Sequence, residues 1–113
     1  MENAWAQLTP FQQKVLRAIC KIPKGEVRTY KWVAQRIGSP RAARAVGQAL
    51  ARNPHPVSLP CHRVVKSDGS IGGFQGSINP NSRETKKKIR MLKKEGVEVK
   101  NNKIDLRKFL FSV

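Results

Sequence analysis

A chain of 113 residues is long enough for one domain with a modest core, and 39% hydrophobic residues in periodic segments exclude a disordered tail. Twenty-three Lys and Arg against seven Asp and Glu leave a formal charge of +16, which favours a polyanionic partner, nucleic acid ahead of a membrane surface. No apolar run is long enough to span a bilayer, and the first ten residues lack the basic start and apolar middle of a signal peptide. The expectation is a cytoplasmic protein, nucleoid-associated if prokaryotic.

In chain order, Thr9 and Pro10 supply an N-cap and a helix-starting proline, with Gln12 placed to complete a capping box. Phe11, Val15, Ala18, Ile19 and Ile22 then mark one face of a helix that should end before Pro23. Cys20 lies beside Leu16, Ile19 and Ile22 in that pattern and reads as a core residue. Glu26-Val27-Arg28 reads as a short extended piece. Thr29 can cap a second helix through Ile37, with Trp32, Val33 and Ile37 inward and Gly38 as its stop. Ser39-Pro40 is expected to open a third helix at once, a junction that signals a helix-turn-helix.

The third segment, Arg41 to Arg52, mixes small residues with arginines. Val46, Leu50 and Ala43 fit an inward stripe, while Arg41, Arg44 and Arg52 reach outward. Gly47 inside a helix costs about 1 kcal/mol relative to alanine, so close approach of another backbone is one reason for it. The segment reads either as a surface lying flat against a partner or as an alanine-rich helix with solvated arginines.

Asn53-Pro54-His55-Pro56 ends that helix, because a residue before proline avoids helical geometry. The chain then reaches Ser58-Leu59-Pro60-Cys61-His62-Arg63-Val64-Val65, which sets a thiol beside an imidazole and a guanidinium. Thiols attack as thiolates, and a free cysteine with a pKa of about 8.5 needs a base or cationic surroundings. Neighbours in an extended chain point to opposite faces, so His62 would reach Cys61 only through a water or a turn. The alternative is that Cys61 is a small buried hydrophobe.

Val64 to Ile71 reads as a hairpin turning at Asp68-Gly69, a wing beside the helix-turn-helix. Gly72-Gly73-Phe74-Gln75-Gly76 forms a glycine-rich loop around one aromatic. Arg83 to Glu95 reads as a basic helix with Ile89, Met91 and Leu92 inward and Gly96 as its stop. A second hairpin is expected across Asn101-Asn102, joining Val97-Glu98-Val99 to Ile104-Asp105-Leu106. The apolar tail Phe109-Leu110-Phe111 should dock on the body. The fold class is mainly α: one winged helix-turn-helix domain over residues 1–113, with small β-hairpin wings. His55, His62, Cys20 and Cys61 make no zinc spacing, and no metal or cofactor is expected.

Pro60-Cys61-His62-Arg63-Val64, together with Gly25-Glu26-Val27, Tyr30, the run Ala42 to Gly47 and Asn53-Pro54, resembles the 6-O-alkylguanine-DNA alkyltransferases. These proteins repair DNA by moving the alkyl group to their own cysteine. The likeness runs from about Phe11 to Gly96 and covers the family's C-terminal DNA-binding and catalytic domain, a core at 9–96 with an extension at 97–113. It implies that Cys61 accepts the alkyl group, with His62 as its base through water and Glu95 orienting and balancing His62. Asn53 would brace the site, and Tyr30 would donate to the leaving guanine. Arg44 would enter the base stack in place of a flipped nucleotide. Ser39, Arg41, Ala42, Ala45, Gly47 and Arg52 would complete a small-faced surface in the minor groove. Tyr30, Val64, Phe74, Gln75 and Gly76 would line the guanine pocket.

The chain also departs from the family pattern. The family has an N-terminal domain, sometimes with a structural metal, where about ten residues precede the first helix here. Phe74 replaces a tyrosine, Gln75 a small polar residue, and Ser77 to Lys87 contains an insertion. The tail from Val97 to Val113 is expected to cover surface that the other domain would otherwise bury. A sister group, the alkyltransferase-like proteins, binds the same lesions without an acceptor cysteine and flags them for other machinery. A winged-helix transcription factor would explain the charge but not the Cys61-His62 motif. Retention of Cys61 with His62, Asn53, Tyr30 and Glu95 favours transfer. The implied partner is double-stranded DNA containing alkylated guanine, bound by a monomer, with cooperative binding along DNA left open.

Overall fold

The computed structural model describes residues 7–52, 59–74, 79 and 81–109. Helix α1 spans Pro10–Ile19 and starts as its sequence dictates. The Thr9 hydroxyl accepts from the Gln12 amide while the Gln12 side chain accepts from the Thr9 amide. Its inward face buries Val15, Leu16, Ala18 and Ile19, and Ile22 stays buried beyond the last turn. Cys20 does not join this core. It sits at the C-cap and is exposed, because one residue on from Ile19 is a turn of about 100° away from the buried stripe.

Strand β1 is only Arg28–Thr29, and Thr29 caps α2, Tyr30–Arg36, by accepting from the Trp32 amide at 3.0 Å. Val33 and Ala34 are its buried residues, with Trp32 and Ile37 half-buried. Helix α3, Ala43–Ala51, does not open at Ser39-Pro40 as the sequence suggested. The Ala42 amide bonds back to the Ser39 carbonyl at 2.9 Å, closing a four-residue turn with proline at its second position. Proline fixes the φ that such a turn needs, so Ser39-Pro40 makes the turn and Ala42 caps the helix without a side-chain bond. Ala49 joins Val46 and Leu50 on the buried face.

After a 3-10 turn at Cys61–Arg63, strand β2, Val64–Val65, pairs in parallel with β1 (Arg28 opposite Val64, Thr29 opposite Val65). Val64 and Val65 are thus committed to β1 and do not build a hairpin ladder. The expected reversal at Asp68-Gly69 is present as a tight turn, with the Lys66 amide on the Ser70 carbonyl and the Gly69 amide on the Lys66 carbonyl. Gly69 is required there. Its φ is +89° and a Cβ would lie 2.5 Å from the Ile104 carbonyl oxygen.

Helix α4 spans Arg83–Lys94, capped by Ser82, whose hydroxyl accepts from the Thr85 amide. Beyond it, Lys100 and Lys103 form an antiparallel bridge around Asn101 and Asn102, both at positive φ, as a two-residue hairpin turn demands. Leu106 is not a strand residue. Asp105 accepts from the Arg107 and Phe109 amides and starts a short helix, α5, Leu106–Phe109.

Two cores result, one among α1, α2 and α3 that includes Cys61, Val64 and Phe74. The other joins Val27, Val65, Ile71 and Leu92 to Val97, Ile104 and Phe109 of the C-terminal segment. The Phe109 carbonyl accepts from the Val27 amide at 3.0 Å, so the tail is docked as expected up to Phe109, while Leu110 and Phe111 lie outside the described residues. The architecture is a small, mainly helical domain with one short parallel strand pair.

Candidate functional site

The 3-10 turn brings the motif residues together without an extended chain. The Cys61 amide bonds to the Leu59 carbonyl at 2.8 Å, and the Arg63 amide bonds to the Pro60 carbonyl at 3.0 Å. Cys61 and His62 are both buried, at 4% and 2% exposure. The C-cap of α4 delivers Glu95 to this turn. Its Oε2 lies 3.0 Å from His62 Nε2, and Arg63 donates to the same carboxylate twice, Nε to Oε1 at 2.9 Å and an Nη to Oε2 at 2.7 Å. Arg63 also donates to the Ile22 carbonyl just past α1. A bidentate guanidinium therefore ties the end of α1, the motif and the end of α4 to one carboxylate.

Burial pushes the His62 pKa below its usual 6.5, with Arg63 and Lys88 acting in the same direction against the pull of Glu95. Burial works to raise Glu95, but the bonds from Arg63 and His62 hold its carboxyl below the ordinary value. At neutral pH the pair is thus a neutral imidazole beside a carboxylate. The proton sits on Nε2, which faces Glu95, and leaves Nδ1 as a bare lone pair. Nδ1 is buried and has no hydrogen-bond partner among the described residues. This is a base held in one tautomer.

Tyr30, at the start of α2, closes the other side. Burial and, after it, the proximity of Cys61 push its pKa up to about 12, so it keeps its proton and can donate. Among the described residues its hydroxyl makes only a long 3.5 Å bond, to the Gly73 carbonyl. Gly72 lies against it with φ +75°, and a Cβ there would stand 3.0 Å from the hydroxyl oxygen.

Lys88 is the residue that sequence reasoning missed. It is fully buried, and its Nζ donates to the carbonyls of Val64 (2.7 Å), Ile71 (2.5 Å) and Gly73 (3.1 Å). Burial pushes its pKa down to about 7, and the proximity of Cys61 opposes that shift. Three acceptors match the three hydrogens of an ammonium, whereas a neutral amine would leave one carbonyl unpaired. The signal was present in the spacing. Thr85, Lys88 and Leu92 fall at i, i+3 and i+7, so the lysine shares the inward face of α4.

A cleft of about 1110 Å³ runs from α3 to these groups, lined among others by Tyr30, Arg44, Gly47, Lys66, Cys61 and Phe74. Arg44 is exposed on α3 at its edge, Arg41 is exposed in the turn before α3, and Arg52 is exposed at its C-cap. Ser39, Ala42, Ala45 and Gly47 are half-buried. Two expectations change. Gly47 does not meet another backbone, since the nearest atom to a Cβ there would be the Tyr30 ring at 3.8 Å. Val64 is fully buried beneath the cleft, with its carbonyl taken by Lys88, and does not line it. Asn53, Gln75 and Gly76 lie outside the described residues. Among the described residues no three His, Cys, Asp or Glu side chains come close enough to hold a metal ion.

The family model for the 6-O-methylguanine DNA methyltransferase DNA-binding domain matches residues 10–97. The chain belongs to this family. It is 52% identical over 71 residues to a methylated-DNA–protein-cysteine methyltransferase of Methanosarcina barkeri, a match covering 63% of this chain and 45% of that protein. Against the protein of the same name from Methanothermobacter thermautotrophicus it is 46% identical over 92 residues, covering 80% and 47%. The chain thus spans about half the length of the curated relatives it matches. Among solved structures it is similar to S. pombe Atl1 in complex with damaged DNA containing O6-carboxymethylguanine, with TM-score 0.80, 32% identity and coverage of 95% and 99%. It is also similar to Mycobacterium tuberculosis OGT in complex with DNA, with TM-score 0.71, 40% identity and coverage of 80% and 51%.

Proposed function

We propose that this family member repairs alkylated DNA by accepting the alkyl group of a 6-O-alkylguanine on Cys61, once per molecule. The observation that carries the reading is the buried Cys61-His62 turn braced by Glu95 and opened to α3 by the cleft. His62 Nδ1 takes the thiol proton through a bridging water. The thiolate attacks the alkyl carbon, the carbon–oxygen bond breaks, and its electron pair stays on the guanine oxygen. The Tyr30 hydroxyl donates to the departing base and is reprotonated through water from His62, so guanine gains in net the proton that the thiol lost. Sulfur keeps the alkyl group as a thioether, a very poor leaving group, so the site is spent.

Double-stranded DNA containing alkylated guanine is the partner in this reading. Supporting it are the charge of +16 and the DNA complexes of the structural neighbours. Helix α2, the turn at Ser39 and helix α3 act as a helix-turn-helix, with the tight Lys66 to Ser70 turn in the place of a wing. Arg44 sits where it can enter the base stack while the guanine turns into the cleft, since its oxygen is unreachable in the stacked duplex. A lesion sensor without transfer would need no acceptor thiol, and Cys61 argues against it. Replacing Cys61 with serine should abolish transfer and keep selective lesion binding, with affinity falling steeply as salt rises. Loss of lesion selectivity in that variant, or affinity indifferent to salt, would contradict the reading.

A further inference from the structure

Helix α4 carries more charge than the site needs. Six of its cations, Arg83, Lys86, Lys87, Arg90, Lys93 and Lys94, fall within an arc of about 120° at 3.6 residues per turn. That arc lies opposite the face that buries Thr85, Lys88 and Leu92. All six are exposed except half-buried Lys87, and none pairs with an acid among the described residues. The two acids at the ends of the helix do not neutralise them. Glu95 is committed to His62 and Arg63, and Glu84 is half-buried at the first turn. Like charges spaced i, i+3 and i, i+4 weaken a helix, so the stripe works against the element that positions Lys88 and Glu95. Solubility does not require it on a domain already at +16.

The lesion-bearing duplex has to enter from the α3 side, where Arg44 borders the cleft. On α4 the side turned to the site holds Lys88 and Glu95, and the cation stripe points away from it. The helix α3 packs on α1 and α2, whereas α4 packs on the Cys61–Arg63 turn and turns Thr85 into the cleft that Arg44 borders, so the cation stripe, opposite Thr85 on the helix, faces away from that cleft. A stripe roughly 16 Å long, at 1.5 Å per residue, matches a run of backbone phosphates along a duplex.

We propose that the outer face of α4 is a second DNA-backbone surface, which holds a separate duplex segment while α3 holds the lesion. This rests on the lesion-repair reading above and adds a bridging property to it. Contacts of this kind are to phosphates, so the second segment needs no lesion and no particular sequence.

The test uses the full chain, a short bead-bound duplex carrying one 6-O-methylguanine, and a short fluorescent undamaged duplex free in solution. Wild type should retain the fluorescent duplex on the beads. The combined variant Lys86→Gln, Arg90→Gln, Lys93→Gln, Lys94→Gln should lose at least about tenfold of that retention, with its salt slope reduced by about 0.9 per phosphate contact removed. Its binding to the bead-bound lesion alone should change by less than about threefold, since distant surface sites act independently. Its melting temperature should hold or rise, because like-charge repulsion is relieved. Equal retention by variant and wild type overturns the proposal. So does wild type that binds the lesion duplex but captures no second duplex, which leaves the repair reading standing. Wild type that binds neither duplex overturns both.

Discussion

Replacing Glu95 with glutamine keeps the shape of the site and removes its negative charge. The carboxylate now accepts three bonds: from His62 Nε2 at 3.0 Å, and from Arg63 at 2.9 and 2.7 Å. An amide has one acceptor oxygen and one donor nitrogen. Arg63 donates to both carboxylate oxygens, so either amide orientation leaves one of its N–H groups against the NH2. With the oxygen in the Oε2 place the amide still accepts from His62 Nε2 and from an Arg63 Nη, and the NH2 faces Arg63 Nε. The imidazole keeps its tautomer but loses the negative charge that balances the imidazolium formed when Nδ1 takes the thiol proton. Loss of that balance is worth about 10²–10⁴ in rate. One Arg63 N–H also loses its acceptor, which costs about 1–3 kcal/mol of stability. The assay is single-turnover methyl transfer from a 6-O-methylguanine duplex under excess protein, beside a urea unfolding curve. A rate within about a factor of three of wild type, in a variant that still folds, would refute the charge-balancing role of Glu95.

Other substitutions separate the DNA surface from the chemical site. Arg44→Ala should slow transfer from duplex DNA far more than transfer from a free modified base, and equal losses on both would remove its proposed role in the base stack. Lys88→Met unties the carbonyls of Val64, Ile71 and Gly73 and should slow both substrates alike, by about tenfold or more, since small displacements of a reacting site are costly. A variant that transfers at the wild-type rate would show that this buried ammonium does not hold the site. Stability should fall in acid through two groups of the same sign. The folded protein resists protonating His62, so stability is lost as pH drops below about 6.5, and the depressed Glu95 gives up its contribution as pH falls through its folded pKa, below 4.5. A melting temperature flat from pH 7 to pH 5 would contradict the His62 assignment, and one that falls no further below pH 4.5 would contradict that of Glu95.

The parts of the fold legible in the sequence are those written in local chemistry. Thr9, Thr29 and Ser82 announce their helices because capping acts across three residues, and Asn101-Asn102 announces a turn because asparagine tolerates positive φ. The pairing of Arg28–Thr29 with Val64–Val65 was not legible, since a two-residue strand has no periodicity and its partner lies 36 residues away. Ser39-Pro40 misled because the same dipeptide can start a turn or a helix. At the site, adjacency made Cys61 and His62 visible, and the family resemblance supplied Glu95, Tyr30 and Arg44. Resemblance did not supply Lys88, which composition filed with the solvated cations of a basic helix. Its burial depends on three carbonyls contributed by the segment that follows Cys61, and no local pattern encodes them.

The central claim is that Cys61 is a sacrificial acceptor. Its most direct test is the intact mass of the protein after incubation with a duplex carrying one 6-O-methylguanine, followed by peptide mapping. The expected result is a gain of one methyl group, confined to Cys61 and limited to one per molecule whatever the excess of DNA. Tight, selective lesion binding with no gain in mass would make this chain a sensor of damage and contradict the transfer chemistry assigned to Cys61, His62 and Tyr30.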